Sequence, residues 1–161
     1  IITDDFFGII LADDLILSEP GCLKQLLEIH EKTQSSVLGV FSASENKVSN
    51  YGVISSKNID GLEKVDGIVE KPKPADAPSN LAVFGRYILS KEIFLNIEQT
   101  KPGLNNEIQL TDAIQDLISN QDVFALEFEG RRFDCGSKEG YISAIIDRAL
   151  SIDKYKSIIE K

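Results

Sequence analysis

Asp13 and Asp14 stand side by side just beyond the apolar run Ile9-Ile10-Leu11, and carboxylates so placed can do chemistry. The block Phe6-Phe7-Gly8-Ile9-Ile10-Leu11 reads as a strand buried on both faces, because such strands are continuously apolar rather than alternating. Aspartate is disfavoured in strands, so the pair belongs just past the strand's carboxyl end. In open α/β sheets that edge is where ligands bind. Two hard oxygen donors there suit a Mg²⁺ ion accompanying phosphates. A polar loop that caps the next helix would use the same residues.

Other clusters carry groups of similar use. In Val69-Glu70-Lys71-Pro72-Lys73-Pro74 a strand runs into a proline-stiffened loop. Pro72 predicts extended backbone at Lys71, which would aim one cationic side chain at a fixed point. Lysine is a common point-charge partner of phosphate. Glu70 would alternate to the other side and accept hydrogen bonds from sugar hydroxyls. A solvated strand end explains the same string. Gly52, in Asn50-Tyr51-Gly52-Val53-Ile54, suggests a close backbone approach by a ligand or another chain, or a simple turn. In Phe133-Asp134-Cys135-Gly136-Ser137, Asp134 could be a second metal ligand and the glycine turn could bring N–H groups near an anion. Ser137 also fits as the cap of the helix beginning near Lys138. Thr111 and Asp112 project from one side of a helix, as residues of a solvated face also would. The one histidine, His30, lies mid-helix between Glu28 and Glu31 and reads as a surface residue. There is no G-x-S-x-G, H-E-x-x-H or G-x-x-x-x-G-K-[ST] string, so nucleophilic hydrolysis and P-loop chemistry have no support.

The elements that must position these groups alternate between β and α patterns. After the first strand, Cys22, Leu23, Leu26, Leu27 and Ile29 mark a helix from about Gly21 to Lys32. Ser35 to Ala43 is strand-like, and Tyr51–Ser55 and Val65–Val69 read as shorter strands able to pair as a hairpin. The prolines at 72, 74 and 78 make the segment after Lys71 a loop. Leu81 to Leu89 resumes as strand, with Ser90 as cap of a short helix through Ile97. Asn105–Ile118 reads as helix, Val123–Phe128 as strand and Lys138–Ile152 as helix. The tail to Lys161 continues helically, with Tyr155, Ile158 and Ile159 on one face. The expectation is an α/β sheet, mixed.

At 161 residues, 42% hydrophobic and 27% charged, the composition fits one ordinary globular domain. The 17 Lys and Arg against 26 Asp and Glu give a net charge of −9, which argues against a general nucleic-acid or anionic-membrane surface. No apolar run approaches the roughly 20 residues of a membrane span. Cys22 and Cys135 follow no metal-ligand spacing, which points to reduced thiols in a cytoplasm. The chain has no Met and opens on Ile1, so a larger domain of which this is the later part is expected.

Several strings, in order, resemble the bacterial UTP–glucose-1-phosphate uridylyltransferases: L-A-D-D-L (Leu11 to Leu15), Y-G-V-I (Tyr51 to Ile54), V-E-K-P (Val69 to Pro72), S-N-L-A-V-F-G-R-Y (Ser79 to Tyr87), N-E-I-Q-L-T-D-A-I (Asn106 to Ile114) and F-D-C-G-S-K-E-G-Y (Phe133 to Tyr141). The resemblance implies a Rossmann-like nucleotidyltransferase fold, a mixed and mainly parallel sheet flanked by helices, incomplete at the N-terminus, with residues 1–161 as a single partial domain. It implies the reaction of UTP with glucose 1-phosphate to give UDP-glucose and pyrophosphate, with Mg²⁺ as cofactor. By family analogy the sugar phosphate attacks the α-phosphorus of UTP, a transfer that needs positioning and charge neutralisation more than covalent chemistry.

Carried over by the resemblance, Asp13 and Asp134 match the metal-binding aspartates, with Asp14 as a helper beside the first. Lys71 matches the phosphate-contacting lysine, and Glu70 the carboxylate on the glucose hydroxyls. Tyr51 and Gly52 contact the sugar, and Asn80 helps line its pocket. The family's G-x-G-T-R-x-x-P loop is absent here, which implies a sugar and metal half-site without its nucleotide cradle, inactive alone. A homo-oligomer is expected of the full-length protein, cytoplasmic and without nucleic-acid or membrane partners. A related transferase using another nucleotide or sugar, and a non-catalytic sugar-nucleotide-binding subunit, remain alternatives.

Overall fold

The computed structural model describes residues 3–103 and 106–159. Ile1, Asn105, Lys161 and the side chain of Ile159 therefore lie outside the described residues. The chain forms β1 (Phe6–Ile10), β2 (Asp14–Leu17), α1 (Cys22–Thr33), β3 (Ser36–Ser42), β4 (Gly52–Ile59), β5 (Leu62–Glu70), β6 (Leu81–Ser90), α2 (Ile93–Gln99), α3 (Leu110–Asn120), β7 (Val123–Glu127), β8 (Arg131–Asp134), α4 (Lys138–Leu150) and α5 (Asp153–Ile159), with short 3₁₀ turns at Glu45–Asn50 and Pro74–Asp76.

A six-stranded sheet runs in the order β1-β6-β3-β7-β5-β4, and β4 also pairs with β6. It is mixed and flanked by helices, as expected, but not mainly parallel. The β3–β7 pair is parallel, whereas β1–β6, β3–β6, β4–β5, β4–β6 and β5–β7 are antiparallel. The physical reason is twofold. β6 runs between β1 and β3 in the direction opposite to both, and a two-residue turn folds β4 back on β5 without any crossover helix. That turn is Asp60-Gly61, both at positive φ (52° and 83°), the pairing that a tight hairpin requires.

β3, like β6 beside it, is buried on both faces. Val37 packs with Cys22, Leu26, Phe84 and Ile88 under α1, while Leu38 and Val40 pack with Ile54, Leu89, Ile114 and Leu117 under α2 and α3. Alternation along one strand thus serves two cores. β1 behaves differently from its expected role. It pairs with β6 on one side among the described residues, and Ile10 is 59% exposed.

Three local expectations are corrected. Ser90 does not cap α2: it ends β6, where its backbone N–H donates to Ser36 Oγ at 3.0 Å, and the helix starts at Ile93. α3 begins at Leu110 rather than five residues earlier, after an Asn106 held at φ 61°. β2 and β8 pair as a separate two-stranded ribbon that periodicity did not reveal, since four residues are too short for a pattern. By contrast, Ser137 caps α4 as expected, its Oγ accepting from the Gly140 N–H at 3.0 Å. His30 is half-buried rather than a surface residue, its Nδ1 lying 2.8 Å from the Ser35 carbonyl.

Burial pushes the Cys22 thiol up to about 11, with the Arg86 charge opposing weakly, so it stays neutral and shielded at pH 8. Cys135 is only half-buried. An aromatic disulfide reagent should therefore label Cys135 rapidly and Cys22 only on unfolding. Two equally fast thiols in the native protein would contradict this packing.

Candidate active site

The β2–β8 ribbon brings the two distant acidic segments together. Asp14 lies opposite Asp134 in the antiparallel register, and the Cys135 N–H donates to the Asp13 carbonyl at 2.7 Å. The neighbouring aspartates then diverge. Asp14 is 8% exposed, its Oδ2 accepting from the Gly85 N–H at 2.8 Å and its Oδ1 from Arg132 Nε at 2.5 Å. Asp13 is exposed. A Cβ added at Gly136 would sit 3.1 Å from Asp134 Oδ1 and 3.3 Å from Asp13 Oδ2, so these two oxygens converge on one point. Two carboxylate oxygens flanking Gly136 and open to solvent are hard donors of the type that would suit Mg²⁺. Among the described residues no group of three or more His, Cys, Asp or Glu side chains is placed to hold a metal.

Beside them lies an open cavity of about 410 Å³ lined by Asp13, Tyr51, Gly52, Glu70, Lys71, Thr111 and Asp134, with Val83, Phe84 and Tyr87 also in its wall. Burial, together with the negative charges of Asp14 and Glu70, pushes the Tyr87 phenol well above its ordinary range. Asn80 is not in this wall: it is exposed, and its carbonyl accepts from the Ala43 N–H at 2.9 Å.

Lys71 corrects the proline argument. Its φ is +45°, not extended, and its N–H donates to the Tyr51 carbonyl at 3.0 Å. That bond keeps Lys71 in register with the start of β4 while Pro72 leaves the sheet, so the change of direction falls on Lys71 itself. A non-glycine residue there stores about 1–3 kcal/mol of strain, the kind concentrated at functional sites. It also turns Lys71 to the same side as Glu70, with Nζ 3.3 Å from Oε1. The other Glu70 oxygen accepts from Thr111 Oγ1 at 3.0 Å.

Gly52 owes its identity to that same threonine. A Cβ there would meet Thr111 Cγ2 at 2.6 Å and Val83 Cγ2 at 3.0 Å, so the close approach is made by the chain itself. Thr111 is buried rather than on a solvated face. Replacing it by valine keeps the volume and frees Glu70. If Glu70 receives sugar hydroxyls, as the resemblance implies, UDP-glucose binding should weaken about tenfold by calorimetry, the worth of one hydrogen bond to a charged group. An unchanged affinity would show that Thr111 is packing alone.

The residues that sequence patterns missed are arginines. Arg86 donates from Nη1 to the Gly85 carbonyl at 2.7 Å and from Nη2 to the Asp14 carbonyl at 2.7 Å, clamping the loop that bears Asp13. Arg132 shares a strand face with Asp134, two residues on, and the i, i+2 spacing was its one available signal. Burial works against its charge, but Tyr51 and Asp14 outweigh it and raise the guanidinium above its ordinary value.

A model of the nucleotidyl transferase family matches residues 1–149. The chain belongs to that family. The chain is 46% identical over 147 residues to a UTP–glucose-1-phosphate uridylyltransferase of Pseudomonas aeruginosa, covering 89% of the chain and 53% of that relative. It is 44% identical over 156 residues to UTP–glucose-1-phosphate uridylyltransferase 2 of Streptococcus pyogenes, covering 93% of the chain and 52% of the relative. The chain thus spans about half the length of the curated relatives it matches. It superimposes on a crystal structure of UDP-glucose pyrophosphorylase complexed with UDP-glucose with a TM-score of 0.89 and 44% identity, over 94% of this chain and 58% of that one.

Proposed function

We propose that this nucleotidyl transferase chain is the sugar- and metal-binding portion of a UTP–glucose-1-phosphate uridylyltransferase, residues 1–161 forming part of one nucleotidyltransferase domain. The reading rests on one observation above others. Asp13 and Asp134 converge at Gly136 beside the Glu70–Lys71 pair, in a chain 44% identical to a UDP-glucose pyrophosphorylase. In this reading Glu70, held by Thr111, accepts hydrogen bonds from glucose hydroxyls, and the Tyr51-Gly52 backbone forms the facing wall. Lys71 meets the negative charge of the sugar phosphate as it approaches the α-phosphorus of UTP. Asp13 and Asp134 would hold Mg²⁺, which when bound supplies charge neutralisation and orientation of the phosphates. Pyrophosphate and UDP-glucose are the products.

We propose a cytoplasmic setting for the full-length enzyme, in which the free thiols of Cys22 and Cys135 would stay reduced. No described helix is long and apolar enough to cross a membrane. We further propose a homo-oligomer that covers the apolar stripe of α4, where Tyr141, Ile142, Ile145 and Ile146 are exposed.

The deciding experiment supplies a chain of the relatives' length with glucose 1-phosphate, Mg²⁺ and either UTP or dTTP. UTP-dependent release of pyrophosphate with UDP-glucose formation is expected. Preference for dTTP would move the chain to a related transferase, and Mg²⁺-dependent UDP-glucose binding without turnover would make it a binding subunit.

A further inference from the structure

We infer that Arg132 is a positioning residue for the two aspartates, an inference that rests on the metal reading of Asp13 and Asp134. Its guanidinium carbon lies 4.6 Å from the centre of the Phe41 ring, 5.1 Å from Tyr51 and 5.8 Å from Phe84. Three rings around one planar cation fix its orientation, since each attracts the charge through its face. From that box Nε pairs with Asp14 Oδ1 at 2.5 Å and Nη2 reaches within 3.9 Å of Asp134 Oδ2. The Tyr51 hydroxyl donates to the same Asp134 oxygen at 3.2 Å.

One side chain therefore connects the loop carrying Asp13 with the strand end carrying Asp134. It also divides the work of the Asp134 carboxylate. Oδ2 faces Arg132 and Tyr51, which leaves Oδ1, braced by the Gly136 N–H at 3.2 Å, turned towards Asp13. Partners of this kind orient a ligating carboxylate, and their loss weakens metal affinity about 10- to 100-fold.

Charge alone predicts the opposite sign. A cation beside a metal-binding carboxylate repels the metal, so removing it would tighten binding. Lysine at this position restores the charge but neither the planar fork nor the stacking on the rings.

The test is Mn²⁺ titration followed by electron paramagnetic resonance in the presence of UDP-glucose, on the wild-type protein, Arg132→Lys and Arg132→Met. Thermal unfolding without metal is measured on each. Both variants are expected to bind Mn²⁺ at least about tenfold more weakly than wild type. Should Arg132→Met fail to fold, Arg132→Lys carries the comparison, because it keeps a cation for Asp14. Affinity in Arg132→Lys equal to or tighter than wild type would overturn the inference while leaving the metal reading intact. No Mn²⁺ binding by the wild-type protein would overturn the metal reading and this inference with it.

Discussion

Asp13→Asn, introduced into a chain of the relatives' full length, is expected to lower UDP-glucose synthesis by about 10³-fold or more without lowering the melting temperature. Asp13 is exposed and its carboxylate carries no ion pair or hydrogen bond among the described residues, so the fold does not depend on its charge. The reaction does, in the reading proposed above. Charge stabilisation through a bound metal is worth several kcal/mol in the transition state, and each 1.36 kcal/mol or so is a factor of ten in rate. Asparagine keeps the size and one oxygen but removes the anion. Initial rates measured against Mg²⁺ concentration decide the matter. A near wild-type rate at saturating Mg²⁺ would remove Asp13 from the metal site.

Asp14→Ala, one residue along, should do its damage to stability. Its carboxylate is enclosed between the Gly85 N–H and Arg132, whose side chain is 12% exposed, and removal strands a buried guanidinium. Breaking one partner of a buried pair costs about 3–5 kcal/mol. In a chain of this size, that lowers the melting temperature by roughly 6–20 °C. Replacing both residues with apolar ones of similar volume, as in Asp14→Leu with Arg132→Met, should recover much of the loss, because no unpaired charge is left behind. Calorimetric melts of the two single variants and the double variant test this. Additive losses in the double variant would show that the pair is not coupled.

These paired outcomes also measure how far residue types alone can be read. The adjacency of Asp13 and Asp14 marked the spot, and the resemblance favoured the first of them. Nothing in the string says that one carboxylate points outward and the other into the protein. That split comes from the β2–β8 ribbon and from Gly85, whose amide claims Asp14. Lys71 is the converse case. A local rule about residues before proline predicted extended backbone, and a long-range hydrogen bond to Tyr51 overrode it.

What the sequence by itself determined was the family and the larger elements. Apolar periodicity located α1, β3, β6 and α4 to within a few residues, because burying a face is a property of residues near one another in the chain. The ordered strings carried the family. Only the tertiary structure decided which strands are antiparallel, which aspartate is exposed, and that Thr111, Arg86 and Arg132 brace the site. Each of those facts depends on contacts between residues far apart in sequence, such as Arg132 with Asp14 or Thr111 with Glu70. Such contacts leave no period or spacing along the chain. They exist only once the sheet has closed and set the distances between its strands.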